Sequence, residues 1–406
     1  MPARYLDLHV LQDIPVSCLN RGDHNLPKTM TIGGTPRSVL SSQCLKRACR
    51  TALEADLGEP AARTRLLPLR LAEALRTAGW PADLAAFAGA QIARCATAQG
   101  LPTDPEHALR TRTTLYLPTT DLLDRLTALC TAHRPALERG LATAQQEAPV
   151  GTEADKGSTA DRCLPTEAIV DLVTARTATI NLFGRFLAEL RAADVPGAVQ
   201  MAWAFTTHTA DLQPDFFTSV EDWARPGEPG GTYLSSTFLT AGVFYRYSSV
   251  NLTELTHTLG GDREQAIELA LLYVGTFLTA LPKAKTNSTA PHTLPDLAHY
   301  VVRDRRPVSY AAAFHRSVRA DPHGGGHLSP SRRALAEHAA ALDRLLGTRH
   351  RIAHGYCAGS TDTLDPLGTR HDSYDDLLAA LARAAAEPSA PLPPARLNPS
   401  PAKASR

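Results

Sequence analysis

RYLDLHVLQ (4–12), SCLNRGDHNLPKTMTIGGTPRS (17–38) and SSQCLKRACRTALEADLG (41–58) together decide the fold. In the first piece Tyr5, Asp7 and His9 alternate with Leu6, Leu8 and Val10, and a period of two predicts a half-buried strand. In the third, Ser41 or Ser42 can cap a helix, because a hydroxyl accepts from backbone N–H groups that have no partner in the first turn. Leu45, Ala48, Cys49 and Ala52 form its apolar stripe and Gly58 stops it. Lys46, Arg47 and Arg50 lie in the early turns of that helix, and Lys46 and Arg50 share a face. The opening therefore reads as a strand, an irregular basic loop and a basic helix.

Working outward, residues 60–180 are mostly helical, with Ala- and Leu-rich segments at 69–79, 82–98 and 120–145 and a short strand at 113–118 (TTLYLP). Residues 146–165 read as a flexible loop. The block looks inserted, because strand patterns resume only beyond it. Residues 195–206 (VPGAVQMAWAFT) read as an apolar helix. In 209–235 the turn PGEPGG joins two aromatic-bearing arms, which predicts a protruding β-hairpin. AGVFYRYSSVN (241–251) is the strongest strand signal; a helix at 262–280, a basic loop PKAKTNS and a strand at 297–304 follow. Beyond 320 the pattern is less orderly, with an Ala-rich helix at 331–346 and a Pro-, Ala- and Ser-rich tail at 387–406 that reads as disordered.

Of the 406 residues 43% are apolar and 20% charged, enough for a sizeable core. The net charge of +1 does not by itself announce a nucleic-acid binder, so a basic surface must be a local patch. Residues 1–50 supply one: Arg4, Arg21, Lys28, Arg37, Lys46, Arg47 and Arg50 face only Asp7, Asp13 and Asp23. Seven scattered cysteines without CxxC spacing read as reduced thiols of a cytoplasmic protein. No run approaches the roughly 18–20 apolar residues of a membrane span, so no membrane partner is expected.

Catalytic patterns are sparse. His323/His327 and His350/His354 have i, i+4 spacing, but the first pair flanks Gly324-Gly325-Gly326 and the second lacks a metalloprotease glutamate, so surface histidines are the preferred reading. No metal site, cofactor or catalytic group is assigned. Asp23, beside Asn20 and Asn25, reads as turn chemistry before it reads as a metal ligand. The basic cluster is either a solvated helix face or a phosphate track, in which the helix-start amides, Ser41, Ser42 and Gln43 could donate to phosphate oxygens. In GVFYRY, core packing is preferred over base stacking.

Nine strings in order carry a resemblance: SCLNRGDHNLPK (17–28), GG (33–34), SSQCLKRACR (41–50), NLFGRFLA (181–188), AVQMAWAFTTH (198–208), DFFTSVEDW (215–223), GVFYRYSSVN (242–251), LPKAK (281–285) and PVSYAAAF (307–314). Together they resemble the CasC family, the repeated backbone subunit of the type I-E CRISPR Cascade complex in the Cas seven superfamily. The resemblance implies an α+β fold: an RRM-like (ferredoxin-like) palm with an inserted helical finger domain and a β-hairpin thumb. The palm would take 1–58 and 182–320, the fingers 59–181 and the thumb 209–239, followed by a helical and irregular region at 321–386 and the tail.

The resemblance further implies a non-catalytic subunit that polymerises along a CRISPR RNA and presents it for pairing with target DNA. Its partners would be the guide, other copies of itself and other Cascade subunits. The family's RNA-contacting positions fall on Arg21, Lys28, Ser41, Gln43, Lys46 and Arg50. Its wedge beside a kinked nucleotide falls on Phe186, where Met is common, and a thumb contact falls on Leu234, where LGT is here LSS (234–236). The competing reading is a metal-dependent ribonuclease subunit of a CRISPR effector using Asp23.

Overall fold

A computed structural model describes residues 3–147, 162–223, 225 and 231–387. Most of the loop expected at 146–165, the tip of the expected hairpin and all but Glu387 of the expected tail lie outside the described residues. The elements run β1 (Tyr5–Ser17), β2 (Thr29–Ile32), β3 (Thr35–Leu40), α1 (Ser42–Leu57), β4 (Ala61–Thr64), α2 (Leu67–Thr77), α3 (Ala82–Cys95), β5 (Thr103–Asp104), β6 (His107–Thr111), β7 (Leu115–Pro118), α4 (Leu122–Ala132), α5 (Arg134–Glu147), α6 (Thr166–Thr174) and α7 (Ala178–Phe183). Then follow β8 (Val199–Met201), β9 (Ala204–Thr206), β10 (Gln213–Val220), β11 (Gly231–Asn251), α8 (Leu252–Thr258), α9 (Arg263–Thr279), α10 (Thr286–Thr289), β12 (Leu297–Arg303), α11 (Leu328–Leu346), β13 (Arg351–Ala358), β14 (Thr369–His371) and α12 (Tyr374–Ala386).

Local chemistry sets the ends of these elements. The Ser41 hydroxyl accepts from the Cys44 amide at 3.3 Å and starts α1, while Gly58 at φ +65° closes it in the left-handed region that glycine enters without a Cβ penalty. Asp262 caps α9 by accepting from the Gln265 amide at 2.9 Å.

The large sheet has the order β14-β13-β12-β1-β11-β9-β3-β2, with β8 also paired to β11. β1 lies between β11 and β12, antiparallel to both, with Leu8 opposite Ser248 on one side and Tyr300 on the other. One face carries α1, α9 and α12 over a core of Leu6, Leu8, Val10, Leu45, Leu53, Tyr273, Phe277 and Leu381. The other face is covered by α11 and the 310–314 turn over Leu11, Val243, Tyr245, Val301, Tyr310, Phe314 and Leu335. A separate core, with Leu71, Leu84, Ile92, Leu126 and Ile169, holds α2 to α6 together.

Four expectations are corrected. β1 is not half-buried: both its faces are covered, and Asp7 and His9 are fully buried. Asp7 accepts from Arg303, the Val308 amide and the Tyr247 hydroxyl, so its charge is met by donors inside the protein. Residues 195–206 are not a helix; they form β8 and β9 against β11. Runs this short cannot establish a period: β8 alternates buried Val199, exposed Gln200 and buried Met201 while all of β9 is buried, and the partner strand decides. Of the histidines read as surface groups, only His323 is exposed; His327 stacks on His208 with centroids 3.9 Å apart, and His350 bonds Asp304 at 3.0 Å. The region expected to be helical and irregular also contains β13 and β14, which extend the sheet beyond β12.

The strand read in GVFYRY packs as core. Tyr245 and Tyr247 are buried on one face, and on the other the Arg246 guanidinium donates to Gln12 and to the Phe277 carbonyl. None of these rings is open to a base in this chain.

Candidate nucleic-acid interface

Asn20 organises the basic loop. Its side-chain oxygen accepts from the Ser41 amide at 2.7 Å, and its carbonyl accepts from the Lys28 amide at 2.9 Å. The loop is thereby laced to the start of α1, with Arg21, Asp23, His24 and Asn25 on its exposed rim. His24 and Asn25 both have positive φ, at 58° and 60°, which makes the rim a tight turn.

Two of the expected cations converge on one edge segment. The Lys28 ammonium lies 4.5 Å from the centroid of the half-buried Trp203 ring, a cation–π contact that steers the amine along the surface. Lys46 donates to the Val199 carbonyl at 3.2 Å, and burial, with Arg63 nearby, lowers its pKa. Gln43 is exposed, whereas the Ser41 hydroxyl is committed to capping α1.

Arg50 is placed differently. It is 9% exposed and donates to both oxygens of Glu54, at 2.9 and 3.2 Å, and to the Ala61 carbonyl at 3.2 Å. Its charge points toward the junction of α1 with β4 and β7, not to solvent. Arg47, one residue after Lys46, is exposed and lines a cleft of about 390 Å³ together with Lys283; no Asp or Glu lines that cleft. The groove between the far end of α1, α9 and α12 has the opposite character, with Asp56, Glu268 and Asp375 on its wall. Phosphate is therefore favoured on the loop side of α1 and disfavoured on the other.

Phe186 is 80% exposed. The reading of Phe186 as a core residue is thereby excluded for this chain. Its neighbour Arg185 pairs through the backbone with Val195, four residues before the Val199 carbonyl that Lys46 reaches. Phe186, Lys46 and Lys28 thus border one stretch, 195–203.

Past that stretch β10 and the first half of β11 pair as a hairpin, with Phe216 opposite Ser236 and Thr218 opposite Leu234. Every residue of β10 is exposed. Leu234 is 66% exposed and Trp223 92%, while the Phe217 and Tyr233 rings stand 6.3 Å apart. An apolar row of this size on a projecting hairpin marks a surface that another molecule covers. Lys285 ties the base of the hairpin to the sheet by donating to Thr237 at 2.9 Å.

Asp23 is exposed, and among the described residues no group of three or more His, Cys, Asp or Glu could hold a metal ion. No described helix is long and apolar enough to cross a membrane. Sequence reasoning missed Trp203, Arg185 and Lys285 and noted Asn20 only as part of the turn around Asp23; all four lie inside strings shared with the CasC family.

Fold and surface together define an α+β protein with a basic loop and helix start, an exposed aromatic and a projecting apolar hairpin around one edge of a large sheet. The CT1975-like protein family matches residues 6–382, and the chain belongs to that family. It is also similar to a chain of a solved structure described as "CRISPR RNA-guided surveillance complex, pre-nicking", with 35% identity and a TM-score of 0.82, covering 94% of this chain and all of that one. A second, described as "CRISPR RNA-guided surveillance complex", shares 32% identity at a TM-score of 0.73 and covers 94% and 99% of the two chains. No curated protein matches. The resemblance to the CasC family read from the sequence is upheld by these matches.

Proposed function

We propose that this chain is a non-catalytic backbone subunit of a type I-E CRISPR surveillance complex, polymerising along a guide RNA and presenting it to target DNA in the cytoplasm. The observation that carries the proposal is end-to-end similarity to chains of RNA-guided surveillance complexes. The surface supports it: Lys28, Lys46 and the exposed Phe186 border the stretch 195–203, and the exposed Arg21, Gln43 and Arg47 lie on the adjoining loop and helix start. In this reading α1, α9 and the central strands, ordered β12-β1-β11-β8/β9, are the RRM-like palm, α2 to α6 the fingers and β10/β11 the thumb. Arg21, Lys28, Gln43 and Lys46 hold phosphates, the amides at the start of α1 add neutral donors, and Phe186 and Leu234 contact a displaced nucleotide. Arg50, also expected to touch RNA, acts through the Glu54 pair that holds α1 to the fingers.

Phosphate contacts without base-edge readout suit a protein that must accept any guide sequence. A chain with a net charge of +1 binds one short stretch weakly, and head-to-tail repetition aligns the basic edges into a continuous groove. Mixing the full chain with guides of unrelated sequence and different length tests this by native mass. The expected result is several copies per guide, rising with guide length. One copy regardless of length, or binding confined to a single sequence, would overturn it.

A further inference from the structure

An exposed phenylalanine normally gains rotameric and backbone freedom from its surroundings, but Phe186 is held on a built pedestal. On its N-terminal side the buried Arg185 guanidinium donates to four carbonyls: Ala193 at 2.7 Å, Tyr116 at 3.1 Å, Ala175 at 2.7 Å and Thr174 at 2.7 Å. These belong to β7, the end of α6 and the loop before β8. The Arg185 backbone also exchanges two hydrogen bonds with Val195, at 2.9 and 2.8 Å. On the C-terminal side the Leu187 amide donates to the Asp194 carboxylate at 2.7 Å, and the Leu187 side chain is buried in the finger core. Gly184 precedes them at φ +79°, where a Cβ would lie 2.8 Å from the Gly197 amide nitrogen.

Burying a guanidinium is costly, and here burial lowers its pKa to about 10 while Asp194 pulls the other way. The structure spends that interaction on the two residues flanking an exposed ring, and a ring fixed in advance loses less freedom when a ligand stacks on it. We propose that Arg185 and Asp194 are positioning residues that hold Phe186 as a rigid stacking surface for one nucleobase of the bound strand. The finger–palm junction, rather than the hairpin alone, then sets where the strand is broken. This rests on the reading of Phe186 as a wedge.

The test uses the full chain assembled on guide RNA, with chemical probing of the guide's periodic reactivity and, in parallel, the melting temperature of the free chain. Phe186→Ala should lose the periodic contrast without moving the melting temperature. Asp194→Ala should reduce the contrast although Phe186 is intact, and Asp194→Asn should restore it, because an amide oxygen still accepts from the Leu187 amide. Arg185→Lys should lose contrast and lower the melting temperature, since an ammonium cannot reach four carbonyls; if that variant does not fold, the Asp194 pair decides. Full contrast in Asp194→Ala alongside its loss in Phe186→Ala refutes the pedestal and leaves the wedge standing. Full contrast in Phe186→Ala refutes the wedge and the pedestal with it.

Discussion

Arg50→Ala separates a structural role from an RNA-binding one. The variant leaves the Glu54 carboxylate without its cation; the Thr179 hydroxyl at 3.1 Å and the Tyr116 hydroxyl at 3.4 Å remain as donors. It also removes the guanidinium that stands 5.4 Å from the Tyr116 ring and bonds Ala61. Breaking a buried pair by deleting one partner costs about 3–5 kcal/mol. Here the two side chains keep 11% and 10% exposure, so water reaches the stranded carboxylate and the lower end, about 3 kcal/mol, is expected. That is roughly two decades in the folding equilibrium. Urea unfolding of the free chain, monitored by circular dichroism, reads it as a fall in the midpoint. Replacing both members, Arg50→Met with Glu54→Leu, should return stability to within about 1 kcal/mol of the original, because no charge is then stranded. If Arg50→Ala instead unfolds at the original midpoint and only weakens guide binding, the inward assignment of Arg50 is wrong.

The loop cations predict a different signature: Arg21→Ala with Lys28→Ala should lower the salt slope of guide binding by about 1.4, equally for unrelated guides, as titrations at several salt concentrations would register. An unchanged slope would remove those two residues from the phosphate track. Acid should weaken the fold through the buried His299, whose pKa is lowered to about 3 by burial, with the His354, Arg303 and Arg351 charges adding and the Gly355 carbonyl opposing. An unfolded histidine takes up a proton near pH 6.5 and the folded one does not, so stability is complete above that pH and falls toward pH 3 by up to about 1.4 kcal/mol per unit. Urea midpoints from pH 7 to 4.5 should therefore drop more steeply in the native chain than in His299→Gln, and parallel curves would contradict this. Finally, the assembled complex should leave bound target RNA and DNA intact in magnesium or manganese; cleavage that vanishes in Asp23→Ala would establish the ribonuclease reading.

The sequence by itself determined the elements whose signals are local. Ser41 and Gly58 bound α1 because capping depends only on neighbours along the chain. The hairpin arms around 209–239 and the strand 241–251 were legible because polar turn residues and β-branched or aromatic runs report a period of two. The shared strings added the family. Tertiary structure alone decided which way each charge points. Lys46 and Arg50 share a helix face in the sequence, yet one lies along the sheet edge and the other turns inward to Glu54 and Ala61. The placement of β4 and β7 beside that turn causes the difference, and no periodicity in α1 encodes it. The same holds for 195–206, which became strands because β11 offered an unpaired edge, and for Asp7 and His9, which a two-layer cover turned from outward groups into buried ones. Phe186 is the sharpest case: around its exposed ring, Arg185 and Asp194 find bonding partners among residues 116 to 195 that meet only in the folded chain.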